Sequence, residues 1–485
     1  MARRLDRLAS FLAFAVPFAI YVLSSYRDVT YWDVGEMDTV PYILGIAHPT
    51  SFPAYVLIGW LFSHAIPIGS VAFRMSLLSA LGLALAAWLI ARIISEECGD
   101  RWSAAACAWV FAFGIVVWSR ATRAEVHALE TCALTATLYF GLRWYRANAP
   151  RDLVLAGATF GVAIAVHPIA LLAVPGVLVL IIARLHVTAS RTLLTAIGLI
   201  VVTAGVWYAY LPLRSAYVTA HHVDPTSSLG LDSGRAFWDY DHPAAWSGFT
   251  ALVSGAEFDV AGGMRSIGSA TTYATRIPRY VSTATREFTI PGIILVLLGI
   301  VAAWRRDRAS TVALLLIGAV SIPFALGYGE ESDVQRYFLP SFVIAALFLG
   351  DACALLSRWK LRAPATGLLI ACAAWLIASG AVLFNQPHDA RARNEVNEVL
   401  RATPGNAVLV ATWVLAPPLA YDAYVEHGIG DRIVDAAWLG DEADALPMLL
   451  AKRPVYIVGT PEGIAPGFRL ERLGTRTELY RVVRE

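Results

Sequence analysis

Long apolar segments, separated mostly by short arginine-rich loops, constrain the fold of this chain more than any other feature. A helix needs about 20 apolar residues to cross the core of a bilayer. Eleven segments approach that length: 9–25, 71–94, 103–118, 127–144, 153–167, 168–184, 192–211, 288–304, 310–327, 338–357 and 365–384. Only 15% of the residues are charged, whereas soluble proteins carry about 25%. The sequence predicts a polytopic α-helical membrane protein with about 11 transmembrane helices.

Arginines in the short loops predict the orientation of these spans. The first span follows Arg3, Arg4 and Arg7, and no small-residue cleavage site follows Ser25, which favours an uncleaved anchor over a signal peptide. Further basic clusters lie at 92–101, 143–151, 184–191, 305–308 and 358–362. Basic short loops stay in the cytoplasm, so the N-terminus is predicted to be cytoplasmic, in the cell (inner or plasma) membrane. The extracytoplasmic segments are then 26–70, 119–126, the turn at His167, 212–287, 328–337 and 385–485.

The apolar segment 52–66 does not fit this arrangement as a span. Crossing the membrane there would reverse every later segment and place the arginine clusters outside. We therefore predict a helix in the membrane interface, with Trp60 and His64 near the headgroups.

Residues 385–485 have a different composition. NEVNEVLRA is typical of an amphipathic helix, and AVLVAT and PVYIVGT of short buried strands. We predict a transmembrane domain, residues 1–384, followed by a small extracytoplasmic α/β domain, residues 385–485.

Ionisable residues gather at the outer ends of the spans and in the outer loops. Charged groups within lipid are costly, and Asp351, toward the cytoplasmic end of its helix, is the main exception. This distribution predicts a polar site at the outer membrane surface, whereas a transporter would place its site near the midplane.

The first outer loop, YWDVGEMDTVPYILGIAHPTSFP, carries a short acidic cluster. Asp33 follows the first span, and Glu36 and Asp38 come three and five residues later. Such a cluster suits general-base catalysis on a hydroxyl or binding of a divalent cation. The alternative is that Asp33 caps a helix beginning near Glu36, with His48 either substrate-binding or structural.

The second outer loop, WSRATRAEVHALE, has Glu125 and His127 where the chain re-enters the membrane, and Glu130 lies more than a turn deeper. A carboxylate just inside an apolar span needs a partner, which Arg120 or Arg123 could provide. A catalytic acid and an ion pair at a helix start are equally good interpretations of this loop.

The remaining outer segments supply further candidates. Arg214 and Arg336 suit a lipid phosphate, which guanidinium groups bind bidentately, or they are ordinary headgroup anchors. Aromatic and acidic side chains in WDYDHP could bind a sugar or belong to interfacial helices. A histidine in a tight turn is more often packed than catalytic. The candidate substrate-binding residues are His48, His127, His167, Trp238, Asp239 and Asp333.

Several of these motifs resemble those of a large bacterial family of membrane proteins. WDVGE, LGIAHPTSFPAYVLIGWLF and AFRMSLLSALGLALA are similar to its Asp-Ser-Gly-Glu, His-Pro-Pro-Gly-Tyr-Pro and Arg-x-Asn/Ser-Leu-Leu-Ser patterns. WSRATRAEVHAL, YLPLRS and SDVQRYFLPSF follow in order, so the likeness covers most of residues 20–350. The family includes the animal O-mannosyltransferase that modifies plexin ectodomains and is grouped with the GT-C glycosyltransferases.

The resemblance implies a GT-C fold and an essential acid in the first outer loop, a role that falls to Asp33 with Glu36 beside it. It also implies a second-loop acid at Glu125 and a donor-phosphate contact at Arg336. Val34 replaces the usual serine, and residues 50–52 replace the usual Pro-Gly-Tyr, so sugar and acceptor specificity do not transfer.

The resulting hypothesis is a membrane glycosyltransferase. It would transfer a sugar, mannose by the family resemblance, from a polyprenyl-phosphate donor to a hydroxyl of a protein Ser/Thr, glycan or glycolipid, with inversion and with Asp33 as the base. Participation of a divalent cation at Glu36 and Glu125 stays open, because an arginine could neutralise the same charge. The alternatives are an outer-face glycan ligase or polymerase and a lipid or glycan transporter or flippase. The net charge of +1 gives no case for nucleic acid.

Overall fold

The computed structural model of the chain describes residues 2–258, 270–328, 333–436, 445–461 and 467–485. The chain divides into two compact units, each assembled from three separate segments. Unit 1 comprises Met1–Ser25, Leu77–Trp207 and Phe258–Asn385, and unit 2 comprises Tyr26–Ser76, Tyr208–Glu257 and Gln386–Glu485.

Helices dominate the described residues. The first twelve α-helices are α1 Ala2–Ser24, α2 Trp32–Ile43, α3 Pro53–Ala65, α4 Val71–Cys98, α5 Arg101–Phe113, α6 Ile115–Ala121, α7 Val126–Ala147, α8 Pro150–Val166, α9 Val174–Arg184, α10 Ser190–Tyr208, α11 Tyr210–Ala220 and α12 Trp246–Ser254. The later ones are α13 Ala270–Arg306, α14 Arg308–Gly327, α15 Leu339–Ser357, α16 Arg362–Ser379, α17 Arg391–Ala402, α18 Ala416–Tyr424 and α19 Leu446–Lys452. Short 3-10 helices include Pro168–Ala173 and Val334–Phe338.

The predicted spans are largely helical in the structure. Among the described residues, seven helices are long and apolar enough to cross a membrane, or eight if α5 and α6, which meet at a 75° bend, form one span. The helices α7 and α8 and the apolar segment Pro168–Arg184 are not among these seven. The multi-pass helical architecture is confirmed, and the count of about eleven stays a prediction.

Two carboxylates, Glu97 and Asp351, tie together the loops that were predicted to be cytoplasmic. Glu97 at the end of α4 forms ion pairs with Arg146 and Arg306, the latter at 3.5 Å. Arg306 also pairs with Asp351, the acid that stood out within the apolar helices. Residues predicted to share one membrane side therefore meet at one end of unit 1.

The segment 52–66 forms α3, a helix of 13 residues. At 1.5 Å per residue it is about 20 Å long, which is shorter than the roughly 30 Å core of a bilayer. Its length agrees with the interfacial helix predicted for this segment. Trp60 lies on its exposed side, where His64 stacks against Tyr42 at a ring distance of 4.4 Å.

The last hundred or so residues contribute a five-stranded sheet to unit 2. Its strands are β1 Val408–Ala411, β2 Ile433–Ala436, β3 Val455–Val458, β4 Phe468–Arg472 and β5 Leu479–Arg484. The order is β2-β1-β3-β5-β4, with β1, β2 and β3 parallel and β5 antiparallel to its neighbours. The predicted amphipathic helix lies in α17 and the two predicted strands are β1 and β3. The domain boundary at residue 384 stays a prediction.

Contacts distant in sequence hold the first and last segments of unit 2 together. The hydroxyl of Tyr31 donates to Glu395 over 2.7 Å, and Arg393 pairs with Asp28 and Asp422 at 2.7 and 2.8 Å. The helix α2 packs on α18. The first outer loop and the C-terminal residues are thus one folded body.

Candidate functional site

The acidic cluster of the first outer loop lies on α2, in unit 2. This helix begins at Trp32, after Tyr31, whose side chain makes no capping hydrogen bond. Asp33 is therefore in the first turn of the helix, and the interpretation of Asp33 as the cap of a helix starting near Glu36 is wrong. Because Asp33 and Glu36 are three residues apart, they share a helix face.

The glycine of the WDVGE motif has a steric role. A Cβ atom on Gly35 would lie 2.4 Å from the carbonyl oxygen of Thr30 and 3.0 Å from Cβ of Pro417. The residue at this position must therefore lack a side chain for α2 to pack on α18, the helix that contains Pro417.

Glu36 folds the chain that follows α2 back onto the helix. Its fully buried carboxylate accepts a hydrogen bond from the backbone N–H of His48 at 2.9 Å through Oε1, and its Oε2 contacts Nδ1 of the same histidine. Burial raises the pKa of Glu36, and the nearby Asp33 carboxylate acts in the same direction, while His48 opposes the shift. Glu36 and His48 thus form one buried pair.

Asp33 is held differently from Glu36. It is half-buried, and its Oδ1 accepts a hydrogen bond from the indole Nε1–H of Trp413 at 2.9 Å. Trp413 lies two residues after the end of β1, at the carboxyl ends of parallel strands, where α/β sheets commonly present functional groups. The C-terminal segment thereby supplies a donor to the acid of the first outer loop.

Trp413 is the centre of an aromatic cluster. Phe237 stacks on it at a ring distance of 5.8 Å, and the rings of His48 and Tyr240 meet it edge-on at 6.0 and 6.4 Å. The Tyr240 hydroxyl donates to Glu257 at 2.7 Å. Because three neighbours pack around it, the indole has a fixed orientation toward Asp33.

The other unit 2 candidates are engaged in local structure. Asp239 is buried and bonded to Nδ1 of His242 at 2.7 Å, while Trp238 packs edge-on against Tyr424 at 5.3 Å. Arg214 donates to the carbonyl oxygen of residue 43, at the end of α2, over 3.2 Å. Their assignments to sugar and phosphate stay predictions.

Asp38, the third acid of the loop, is buried apart from Asp33. Burial raises its pKa well above the usual range, and the nearby Asp28 adds to the shift. One of its carboxylate oxygens has no hydrogen-bond partner among the described residues. Asp38 thus belongs to the packed side of α2.

The second-loop residues form a charged cluster within unit 1. Arg120 contacts both carboxylate oxygens of Asp333, with Nη1 to Oδ2 at 2.6 Å, and also lies 3.2 Å from Glu125. Arg123 lies 3.0 Å from Asp333 and 3.6 Å from Glu125. Arg336 is 3.8 Å from Asp333 and packs over the ring of Tyr337.

The cluster carries an excess of positive charge when its carboxylates are ionised, because three guanidinium groups face two acids. Burial raises the pKa of Glu125, opposed by Arg123 and Arg336. Glu125 also caps α7 by accepting from the backbone N–H of His127 at 3.3 Å. The geometry of this loop matches the ion-pair interpretation. The cluster, which includes Arg336, keeps a net positive charge.

The arginine partners predicted for Glu130 are elsewhere. Arg120 and Arg123 are taken by Glu125 and by Asp333, which is more than 200 residues away in the chain. Glu130 is 1% exposed, and its Oε1 has no hydrogen-bond partner within the described part of the chain. The predicted pairing of Glu130 is wrong because a distant carboxylate competes for the same arginines.

The two histidines of unit 1 stack beside this cluster. The rings of His127 and His167 are 4.5 Å apart, and Tyr337 meets His127 edge-on at 5.3 Å. Nδ1 of His167 accepts the backbone N–H of Ile169 at 3.0 Å, which places the proton of the neutral ring on Nε2. His167 thus contributes to its own turn through Nδ1, and the assignment of His127 and His167 to substrate stays a prediction.

No metal site is evident in the described ranges. Groups of three or more His, Cys, Asp or Glu side chains arranged to hold a metal ion do not occur among those residues. Glu36 is engaged by His48 and Glu125 by arginines.

Sequence comparison places the amino-terminal third of the chain close to a known domain. Residues 33–190 match the family described as Protein O-mannosyl-transferase TMEM260 N-terminal domain. Protein O-mannosyl-transferase TMEM260 of Mus musculus is 31% identical over 143 residues, which are 30% of this chain and 20% of that protein. Protein O-mannosyl-transferase tmem260 of Dictyostelium discoideum is 28% identical over 128 residues, or 26% of this chain and 16% of that protein. The chain thus matches about a fifth of the length of these relatives.

Structural comparison covers nearly the whole chain. ArnT from Cupriavidus metallidurans in the apo state superposes with a TM-score of 0.58 at 13% identity, over 97% of both chains. ArnT bound to undecaprenyl phosphate gives 0.57 at 12% identity, again over 97% of both. The chain therefore has the fold of ArnT, and the predicted resemblance to O-mannosyltransferases is confirmed.

Proposed function

We propose that this chain is a GT-C glycosyltransferase that transfers a hexosyl group, mannose, from a polyprenyl-phosphate donor to a hydroxyl acceptor. The acceptor is a protein Ser/Thr or a glycan or glycolipid, and the reaction takes place on the extracytoplasmic side of the cell membrane. The O-mannosyltransferase names of the relatives and the ArnT fold support this assignment.

The chemistry needs little more than a base and a site for phosphate. The acceptor oxygen forms a bond to the anomeric carbon while the bond from that carbon to the phosphate oxygen breaks. The electron pair leaves with polyprenyl phosphate, and the acceptor proton passes to a carboxylate. Attack from the face opposite the leaving group inverts the anomeric centre, so one base suffices.

The observation that carries the proposal is the hydrogen bond from Trp413 to Asp33. It fixes one carboxylate oxygen at 2.9 Å from an indole N–H that is itself held by Phe237. A half-buried carboxylate in a fixed orientation is suited to accept a proton from a bound hydroxyl. Glu36, fully buried against His48, is a positioning residue in this scheme.

The arginine cluster of unit 1 supplies the donor side of the proposal. Arg336 has its guanidinium beside an ion-paired acid and over an aromatic ring, and its side chain is 15% exposed. Guanidinium groups bind phosphate oxygens bidentately and stay charged at all physiological pH values. The ArnT structure with undecaprenyl phosphate shows that this fold accommodates a polyprenyl phosphate in that protein.

The test is Asp33→Asn in the purified protein, assayed with a polyprenyl-phosphate mannose donor and an acceptor peptide containing serine and threonine. We expect turnover to fall by about 100- to 10,000-fold, the usual contribution of a general base. The matched control is Asp232→Asn, which removes an exposed carboxylate of the same unit. Full turnover by Asp33→Asn would exclude Asp33 as the base.

A second variant, Arg336→Gln, tests the donor side separately. It should raise the KM for the lipid donor more than it lowers kcat, because it removes a contact to phosphate that ground and transition states share. An unchanged KM would remove Arg336 from the donor site and leave the role of Asp33 standing.

A further inference from the structure

Unit 1 contains a cavity of about 570 Å³ that the transfer reaction does not use. It is lined by residues of α1, α4 and the start of α5, among them Arg7, Arg92 and Arg101. These three arginines belong to the loops and helix ends that were predicted to be cytoplasmic. The lining residues include three arginines and no acid, so the wall of the cavity is basic.

Its walls change character with depth. Phe11 and Phe14 lie four and seven residues beyond Arg7, toward the middle of the span Leu5–Ser24, so they share one face of α1. Trp88 lies one turn before Arg92, toward the middle of α4, and the Arg92 guanidinium is 5.8 Å from the centre of its ring. The rim is therefore basic and the interior apolar and aromatic.

Arg92 is not fully satisfied within the protein. Its Nη2 lies 3.7 Å from Glu96, the acid one turn later, which is longer than a hydrogen bond. Its Nε is buried with no hydrogen-bond partner among the residues that the structure describes. A buried donor without an acceptor is destabilising, and a bound anion would supply the missing acceptor.

We propose that this cavity binds an anionic phospholipid of the leaflet on the N-terminal side of the membrane. The phosphate lies between Arg92 and Arg101, and the acyl chains follow Phe11 and Phe14. The arginines favour an anionic headgroup through charge complementarity. Phe11 is 62% exposed on a membrane-spanning helix, and an acyl chain would cover this apolar surface whereas a soluble phosphate would not. The proposal is independent of the sugar transfer.

The test is native mass spectrometry of the purified chain titrated with dioleoylphosphatidylglycerol. We expect Arg92→Gln combined with Arg101→Gln to weaken binding at least about tenfold, the loss expected for charge-assisted contacts. The matched control combines Arg151→Gln and Arg191→Gln, two exposed arginines of the other basic loops that do not line the cavity. It should bind as the unaltered chain does.

Three outcomes would overturn the proposal. Equal weakening by both double variants would indicate a general attraction of basic loops for anionic lipid. Equal affinity for dioleoylphosphatidylethanolamine would remove the charge selection, and equal affinity for glycerol phosphate alone would exclude a role for the acyl chains. Should the double variant fail to fold, Arg7→Gln at the exposed rim is measured in its place, and unchanged binding by that variant counts against the site.

Discussion

Replacing Trp413 by phenylalanine removes one hydrogen bond from the candidate active site and little else. The phenyl ring can keep the stack on Phe237 and the edge contacts with His48 and Tyr240, but it lacks the N–H that Asp33 accepts at 2.9 Å. A hydrogen bond to a charged group contributes about 1.5–3 kcal/mol. If the orientation of Asp33 matters fully in the transition state, kcat falls by about 10- to 100-fold.

The assay is steady-state transfer from a polyprenyl-phosphate mannose donor, with kcat and KM measured separately for donor and acceptor. Because Trp413 acts through Asp33, the loss should appear in kcat with little change in the KM for the donor. Trp246→Phe is the matched control, since Trp246 belongs to the same unit and is 77% exposed. Its kcat should equal that of the unaltered chain.

Trp413 does not orient Asp33 for catalysis if Trp413→Phe keeps full kcat while Asp33→Asn is inactive. This role is also refuted if the loss follows a lowered unfolding temperature that Trp246→Phe does not share, because the role of the indole would then be packing. A purely structural tryptophan would not separate kcat from KM in a variant that stays folded.

Variants at three further positions, Gly35, Glu398 and Glu287, test the packing and the charges. Gly35→Ala should lower the free energy of unfolding by about 1–3 kcal/mol through overpacking, whereas Gly405→Ala, where a Cβ meets nothing within 4 Å, should change it by less than about 0.5 kcal/mol; urea titration measures both. The pKa of Glu398 is lowered to about 2 by hydrogen bonds from the backbone N–H groups of residues 475–477. The ionised carboxylate therefore stabilises the fold above the ordinary pKa of 4.5, and this contribution is lost as the pH falls toward 2. Glu398→Gln should lose less stability between pH 5 and pH 3 than the unaltered chain. Glu287 accepts hydrogen bonds from the backbone N–H groups of residues 116 and 117 at 2.9 and 3.0 Å. Glu287→Ala should therefore lower the free energy of unfolding by about 2–6 kcal/mol, and Glu287→Gln should lower it less, as measured by thermal unfolding in detergent. Equal losses for the two variants would contradict a role for these hydrogen bonds.

Local sequence pattern was sufficient for the multi-pass helical architecture and for several short elements. The long apolar helices follow from the length of their apolar segments, whereas the helix within 52–66 and the strands within AVLVAT and PVYIVGT follow from patterns that are complete within a few residues. The acid of the first outer loop also stood out locally, because Asp33 and Glu36 are three residues apart on one helix.

The partners of those acids could not be predicted in the same way. Trp413 is 380 residues from Asp33, and Asp333 is more than 200 residues from the arginines that it takes from Glu130. Such pairs depend on tertiary structure, which a single sequence does not reveal. The one available signal for Trp413 was its position two residues after a predicted strand.

Unit 2 draws its parts from three stretches of chain, and this has a consequence for biosynthesis. Asp33 leaves the ribosome early, but its partner Trp413 emerges only after almost all the membrane helices have been made. Until then, α2 has no α18 against which to pack its Gly35 face. In a nascent chain the environment of Asp33 therefore stays incomplete until residue 413 has been synthesised.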